Sequence, residues 1–141
     1  MNSRNKGALA EYRFLSYAIS LDLKVLMPAV EGYAYDLVVD NGKRFFKIQV
    51  KYAGRDKRHP NTFRAMAHRR ITNGKNLKSN ELYRTYHATE VDFFAVYIWN
   101  IDTFYIIPHK EVLRSSITLN LRSKNNNNKY EAFRNNWKQL L

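Results

Sequence analysis

A predicted β-hairpin over residues 35–52 constrains the fold of this chain more than any other feature. Asn41-Gly42 tolerates the positive φ angles of a tight two-residue turn, and it separates two stretches in which apolar residues alternate. In the register of such a turn, Asp36 lies opposite Lys47. Side chains alternate between the two faces of a strand, so one face should carry four polar residues, which are Asp36, Lys47, Gln49 and Lys51.

The rest of the chain predicts helices and strands around this hairpin. In chain order they are a helix from a Ser3 or Asn5 cap to about Leu21, strands at 24–27, 35–40, 43–52, 92–99 and 104–107, and helices at 109–116 and 130–140. The run at 92–99 is almost purely apolar and predicts a central strand. We therefore expect a single α/β domain over residues 1–141, with a mixed β-sheet flanked by helices.

The first helix is predicted to bury one apolar arc, formed by Ala8, Tyr12, Leu15, Ala18 and Ile19. Glu11 lies inside this arc, so its carboxylate should point toward the core side. The alternative is a glutamate near the helix start that favours the helix dipole and turns to solvent.

The charge of the chain indicates a polyanionic partner. Lys and Arg number 24 against 12 Asp and Glu, which gives a net charge of +12 and a pI near 10.0. Residues 51–86 alone hold ten basic residues and two acids. A small domain this basic usually meets nucleic acid.

Several classes of protein are excluded or disfavoured. The chain has no Cys, which excludes disulfides, thiolate zinc sites and thiol nucleophiles. The first residues lead into a charged segment rather than an apolar one, unlike a signal peptide. The apolar run at 93–99 is too short to span a bilayer, and the basic segment lacks the amphipathic helix of a membrane-surface protein. We expect a cytoplasmic protein without membrane contact.

A candidate catalytic cluster combines Glu11 and Asp36 with Gln49-Val50-Lys51. Asp36 and Gln49 should be diagonal neighbours at roughly 7–8 Å, close enough to hold one metal ion between them. Carboxylate and amide oxygens beside a basic surface suit Mg²⁺ or Mn²⁺, with substrate phosphate completing the coordination. A lysine two residues beyond a ligand shares its face and can position or deprotonate water.

This arrangement resembles the PD-(D/E)XK nuclease superfamily, in which a helix glutamate and a strand acid precede a (D/E)-x-K strand. The chain is most similar to homing endonucleases of bacterial group I introns, including a cyanobacterial tRNA-gene type. The similar stretches are GALAE at 7–11, VLMP at 25–28, YDLVVD at 35–40, KIQVK at 47–51, DFFAVY at 92–97 and YIIP at 105–108.

The resemblance implies a restriction-endonuclease-like core and a Mg²⁺-dependent DNA endonuclease. Glu11 and Asp36 would take the acidic positions, Lys51 the motif lysine, and Val50 the position whose backbone carbonyl contacts metal. Gln49 departs from the superfamily pattern, which has an acid there, although the intron-encoded branch is similar in having glutamine. The amide can still be a ligand, but it carries no charge.

A basic excursion over residues 52–88 is the predicted DNA-reading segment. Thr62 to Thr72 could form a strand that turns at Asn73-Gly74 into a two-stranded ribbon fitting the major groove. The alternative is a solvated loop that contacts phosphates alone. The candidate DNA-binding residues are Arg55, Lys57, Arg58, His59, Arg64, His68, Arg69, Arg70, Lys75, Lys78 and Arg84.

The sequence is compatible with three functions. The first is a site-specific double-strand homing endonuclease acting on a long pseudo-palindromic site, as a homodimer or as the homotetramer that the resemblance implies. The second is a structure-specific nuclease such as a Holliday junction resolvase, and the third a non-catalytic nucleic-acid-binding protein. The C-terminal part, 109–141, is predicted to be helical, and its apolar stripe forms an oligomer interface or covers its own sheet. That stripe is Tyr130, Phe133, Trp137 and Leu140.

Overall fold

The computed structural model describes residues 1–71, 76–78, 81–122 and 129–141. These residues contain the helix α1 (Ser3–Ser20) and ten strands. The strands are β1 (Lys24–Leu26), β2 (Leu37–Asp40), β3 (Phe45–Tyr52), β4 (Gly54–Arg55), β5 (Thr62–Met66), β6 (His68–Arg70), β7 (Tyr83–Thr85), β8 (Phe93–Ile98), β9 (Thr103–Pro108) and β10 (Ser116–Asn120).

A five-stranded mixed sheet forms the centre of the fold, in the order β1-β2-β3-β8-β9. β3 and β8 run parallel, whereas the other neighbours are antiparallel. All six residues of β8 are buried, because both faces of the sheet are covered by other elements. The predicted α/β class, mixed sheet and central apolar strand are confirmed.

The predicted hairpin forms, but its register differs by two residues. Asp40 pairs with Phe45 and Val38 with Lys47, so the turn spans residues 41–44. The side-chain oxygen of Asn41 accepts hydrogen bonds from the backbone N–H groups of Lys43 and Arg44, which stabilises this wider turn. A shift of two keeps every side chain on its predicted face, but it moves Asp36 from beside Lys47 to beside Gln49.

Helix α1 packs on one face of this sheet through a different arc from the predicted one. Asn2, rather than Ser3 or Asn5, is the N-cap, and its side chain accepts a hydrogen bond from the Asn5 N–H. The buried helix residues are Ala10, Phe14 and Ala18. Tyr12 is 66% exposed and Ile19 59%. Of the predicted arc Ala18 is buried, but most of the arc is exposed, because the helix turns Ala10 and Phe14 toward the core.

The opposite face of the sheet is covered by strands, where helices were expected to flank it. A three-stranded sheet in the order β10-β5-β4 packs its buried Phe63, Ile117 and Leu119 against residues of β8 and β9. The predicted helix at 109–116 is a single 3-10 turn, His109–Glu111, followed by β10. Isoleucine and threonine in 116–120 suit a strand.

The predicted C-terminal helix is also wrong, because the described residues from 129 onward form two 3-10 turns, Glu131–Phe133 and Trp137–Leu140. Between them Asn135 has a positive φ of 47°. Its N–H donates to the Phe104 carbonyl, and its side-chain oxygen accepts from the Phe104 N–H. These bonds to β9 replace the helical ones. The four consecutive Asn at 125–128, a composition that predicts a flexible connection, lie outside the described residues.

The predicted apolar stripe is divided between the two faces of the central sheet. Trp137 and Leu140 lie in the core on the α1 side, where the Trp137 ring is 5.1 Å from that of Phe14. Tyr130 and Phe133 lie with the core on the other side. These residues thus cover the chain's own sheet. In the part of the chain that the structure describes, no helix is long and apolar enough to cross a membrane.

We predict that Phe14→Ala destabilises the protein by about 3–5 kcal/mol, because removal of the large ring leaves a cavity between α1 and the sheet. Tyr12→Ala, two residues away on the same helix, should change the free energy of unfolding by less than about 0.5 kcal/mol. Urea unfolding followed by circular dichroism measures both. A larger loss for Tyr12→Ala would contradict the helix orientation.

Candidate active site

Asp36 is fixed at the start of β2 by three hydrogen bonds to β3. Its N–H donates to the Ile48 carbonyl at 2.9 Å. Its Oδ2 accepts from the Val50 N–H at 2.8 Å and from Gln49 Nε2 at 2.5 Å. Burial raises the pKa of this carboxyl, although these hydrogen bonds and the charge of Lys51 act in the opposite direction. Asp36 and Gln49 are therefore in direct contact, which is closer than the roughly 7–8 Å expected for diagonal neighbours.

Two oxygen atoms that could bind a metal ion lie next to the side-chain nitrogen of Gln49. Its Nε2 lies 2.5 Å from Asp36 Oδ2 and 3.2 Å from the Val50 carbonyl oxygen. The amide side chain itself is buried, with 7% exposed. A carboxylate, a peptide carbonyl and an amide oxygen are hard donors of the kind that Mg²⁺ and Mn²⁺ prefer. The residues present therefore fit a small divalent cation.

Glu11 reaches the same place from helix α1. It is half-buried and lines, together with Asp36, a cleft of about 340 Å³ whose other wall is formed by residues 27–33. Burial raises the pKa of Glu11, and the negative charge of Asp36 raises it further. Glu11 thus faces the cleft beside the sheet. The sequence left open whether it points toward the core or to solvent, and its half-buried position lies between the two.

Lys51 lies on the same strand face and contacts a residue that the sequence analysis did not assign to the site. Its Nζ donates to the hydroxyl of Tyr86 at 3.0 Å and lies 5.2 Å from the centre of the ring. Burial lowers the pKa of Lys51, Asp36 raises it in part, and Arg69 lowers it further. Burial and the charge of Asp36 raise the pKa of Tyr86 to about 12.

The four predicted catalytic residues therefore form one group around Asp36. Gln49 is hydrogen-bonded to it, and its charge acts on Glu11 and Lys51. Among the described residues, no set of three or more His, Asp or Glu side chains is arranged to hold a metal ion. The group here has two carboxylates and the Val50 carbonyl as oxygen ligands. The Gln49 amide, whose nitrogen faces Asp36 and Val50, can present its oxygen after it rotates. Such a group of acids and a lysine with shifted pKa values is typical of a functional site.

Comparison with known proteins identifies the family. A family model described as PD-(D/E)XK endonuclease matches residues 1–140. The chain belongs to the PD-(D/E)XK endonuclease family. The resemblance inferred from the sequence is thus confirmed, and nucleases of this family generally use divalent metal ions.

The fold of this PD-(D/E)XK endonuclease is similar to that of a bacterial homing endonuclease, I-Ssp6803I. The TM-score is 0.85 with 24% sequence identity, over 100% of this chain and 94% of that chain. The restriction-endonuclease-like core is confirmed by this match. A search of curated proteins finds no match.

The basic segment of this endonuclease is not one continuous ribbon. The predicted strand 62–72 is interrupted at Ala67, where β5 ends and β6 begins, and β5 joins the three-stranded sheet. β6 pairs with β7 in the order His68–Thr85, Arg69–Arg84, Arg70–Tyr83, and we call this pair the ribbon. Thr72, the Asn73-Gly74 turn and Lys75 lie outside the described residues.

Two of the predicted DNA-binding arginines on the ribbon have protein partners. Arg84 makes two hydrogen bonds to the carboxylate of Glu90, at 2.7 and 2.9 Å, and Arg69 lies 3.6 Å from the same group. The hydrogen bonds from Arg84 are the largest cause that lowers the pKa of Glu90 to about 2, and the charge of Arg69 contributes in the same direction. Arg69 also donates to the Gly32 carbonyl in the wall of the cleft. Both arginines thus connect the ribbon to the rest of the protein.

Most of the other predicted DNA-binding residues are exposed. They are Arg55, Lys57, Arg58, His59, Arg64, Arg70 and Lys78, whereas His68 is half-buried and stacks on Tyr83. Asp56 organises the turn between β4 and β5 by accepting from the N–H groups of Arg58 and His59, and it pairs with Arg64 at 3.3 Å. This turn therefore presents a group of cations to solvent.

Glu90 and Tyr86 contact predicted site residues, but the sequence analysis assigned neither of them to the site. Tyr86 lies in the basic segment, but nothing in its spacing places it beside Lys51. Glu90 lies outside the segment counted as basic. A single acid close after a cationic stretch is the signal that could have indicated an arginine partner.

We predict that Glu11→Gln makes the protein more resistant to urea at pH 7 without metal. The folded-state pKa of Glu11 is raised above its ordinary 4.5, so its favourable contribution is present at low pH and is lost as pH rises through that folded pKa. The gain from Glu11→Gln should therefore shrink as the pH falls toward 4.5. Glu31→Gln, an exposed acid in the same cleft, is the control for net charge. A less stable Glu11→Gln protein at pH 7 would show that the ionised carboxylate is favoured in the fold.

Proposed function

We propose that this endonuclease is a site-specific, double-strand DNA homing endonuclease that promotes intron mobility. It would hydrolyse phosphodiester bonds with Mg²⁺ or Mn²⁺. The single observation that carries the proposal is the convergence of Asp36 Oδ2 and the Val50 carbonyl on the Gln49 amide. Lys51 is two residues further along the same strand, in a chain with a net charge of +12.

In this proposal Asp36, Gln49 and the Val50 carbonyl hold the ion, with Glu11 as a direct or water-mediated ligand. The ion supplies Lewis-acid stabilisation of the charge that develops on the phosphate. Two carboxylates with raised pKa values favour a cation, because a positive charge between them relieves both their desolvation and their mutual repulsion.

Lys51 is proposed to orient the water molecule that attacks the phosphorus in line with the leaving oxygen. A bond from the water oxygen to phosphorus forms while the bond to the leaving sugar oxygen breaks. The attacking water gives up a proton, and the leaving oxygen takes one from solvent. Burial lowers the pKa of Lys51, which makes this amine better able than a solvated lysine to accept a hydrogen bond or proton from water.

The DNA is proposed to lie along the exposed cations of the β4–β5 turn and the ribbon. Arg55, Lys57 and Arg58 are exposed near the turn, and Arg70 is exposed on β6, close in sequence to Arg69 at the cleft wall. Phosphate contacts by such residues give affinity and register. The same group, with His59, Arg64, His68, Lys75, Lys78 and Arg84, is proposed to include the residues that read base edges.

At least two subunits are proposed to act together. Each chain offers one catalytic group, whereas a double-strand break requires one cut on each strand, so a two-fold pair fits a pseudo-palindromic site. A long, rare site needs more protein surface than one 16.7 kDa chain provides. A homodimer and a homotetramer both meet these requirements.

We predict that the protein linearises a plasmid carrying an intronless host gene when Mg²⁺ is present. Lys51→Ala and Asp36→Asn should lower the cleavage rate by at least about 10²-fold, because each removes a group that acts at the scissile phosphate. Gln49→Ala should require more Mg²⁺, and Gln49→Glu should retain cleavage. Gel shifts on the same DNA should show affinities within several-fold of wild type.

Lys47→Ala is the matched control for Lys51→Ala, since Lys47 lies on the same strand face and its Nζ instead donates to the Thr89 carbonyl. It should cut at the wild-type rate. Full activity of Lys51→Ala would refute the site, and equal Mg²⁺ dependence of wild type and Gln49→Ala would exclude Gln49 as a ligand. Cleavage confined to a four-way junction would instead favour a resolvase, and no cleavage of any nucleic acid a binding protein.

We predict a steep loss of DNA affinity with salt, with a log–log slope of roughly −4 to −5 per subunit if 4–6 phosphates are neutralised. Replacing Arg55, Lys57 and Arg58 together by Ala should reduce the magnitude of that slope by roughly 1 per lost contact. Lys138→Ala, an exposed cation next to Trp137 on the α1 side of the sheet, should leave it unchanged. An unchanged slope in the triple variant would place the DNA elsewhere.

A further inference from the structure

Tyr86 lies where the ribbon meets the catalytic strand. It follows β7 directly in the chain, and its side chain is buried. Its hydroxyl accepts a hydrogen bond from Lys51 Nζ at 3.0 Å. A residue at the end of the proposed DNA-reading ribbon thus contacts the lysine proposed to orient water.

The surroundings of Tyr86 leave its ring little freedom. Its carbonyl accepts a 2.7 Å hydrogen bond from Nε2 of His109, so that nitrogen carries the proton. Its ring meets Phe94 of β8 edge to face, with 5.3 Å between the ring centres. The hydroxyl is therefore presented to Lys51 from a fixed position.

Lys51 needs such a partner because its side chain is long and has many rotamers. Among the described residues, Tyr86 is its hydrogen-bond acceptor, and the ring of Tyr86 lies within the range of a cation–π contact. Arg69 of β6 adds positive charge nearby, which repels the ammonium. Arg69 of the ribbon and Tyr86, which directly follows it, therefore both act on this lysine.

We propose that Tyr86 is a positioning residue, whose hydroxyl holds Lys51 beside Asp36 and connects that lysine to the end of the ribbon. This inference rests on the proposed function, in which Lys51 acts on water at the scissile phosphate. A tyrosine that merely filled the core would need its ring alone, and phenylalanine would fill that space equally well. The hydroxyl is the part that the proposal requires.

Tyr86→Phe tests the proposal, because it removes the hydroxyl and retains the ring. Under single-turnover conditions with saturating DNA, its cleavage rate should fall by roughly ten- to a hundred-fold, the cost of a misplaced reacting group. Its DNA affinity, measured with Ca²⁺ in place of Mg²⁺, should stay within two-fold of wild type. Tyr52→Phe, next to Lys51 on the opposite strand face, is the matched control and should cut normally.

A double-mutant cycle provides a readout that does not depend on cleavage. The shifts in urea unfolding midpoint of Tyr86→Phe and Lys51→Met should not sum to the shift of the double variant. The hydrogen bond between the two side chains is lost in either single variant, so the second change cannot remove it again. Additive midpoints, or a Tyr86→Phe enzyme with the wild-type rate, would overturn the proposal. A rate loss matched by an equal loss of affinity would also overturn it, by assigning Tyr86 to binding.

The two proposals fail in different ways. If the wild type cleaves no DNA while the unfolding midpoints are non-additive, the proposed function is wrong and the contact between Tyr86 and Lys51 stands. If the wild type cleaves DNA and Tyr86→Phe cleaves it equally fast, the site stands and the positioning role is wrong.

Discussion

The parallel pairing of β3 with β8 is the constraint on which the rest of the structure depends. Parallel neighbours cannot be joined by a tight turn, so the chain between Tyr52 and Phe93 must cross over one face of the sheet. That crossover carries β5, which helps to bury β8, and then the ribbon, which returns Tyr86 to Lys51. The basic segment is therefore part of the connection that builds the core and cannot be regarded as an independent appendage. Its position beside β3 follows from the topology.

The candidate site concentrates charges that the fold itself does not favour. Burial raises the pKa values of Glu11 and Asp36 and lowers that of Lys51, so each is harder to charge here than in water. Such groups reduce stability at neutral pH, and they cluster where function requires them. Elsewhere in the described chain, several acids have stabilising partners, as in the Arg84–Glu90 pair or the contacts of Asp102 with Arg13, Tyr17 and Tyr97.

The sequence allowed the sheet, the hairpin and the shared face of Asp36, Gln49 and Lys51 to be predicted, because strand periodicity is a local property. The register was wrong by two residues, since the side chain of Asn41 selects a wider turn, but an even shift preserves the faces. The apolar arc of α1 was wrong in part, because Tyr12 and Ile19 turn to solvent and only tertiary packing shows that Phe14 faces the core. Tyr86 could not be placed, because its contact with Lys51 depends on a crossover whose path is not encoded by any local pattern.

Gln49 departs from the acidic residue of the general family pattern, and its surroundings provide a physical reason. An acid at this buried position would stand in contact with Asp36, whose carboxyl is already difficult to ionise, and like charges at that distance oppose each other strongly. The amide instead donates to both Asp36 and the Val50 carbonyl, which holds these two oxygens together before an ion binds. Because an amide carries an acceptor oxygen as well as donors, it can also serve as a ligand after it rotates. In the proposed function the cost is one negative charge fewer on the metal site. Glutamine thus exchanges part of the proposed attraction for the ion for two hydrogen bonds that hold Asp36 against β3.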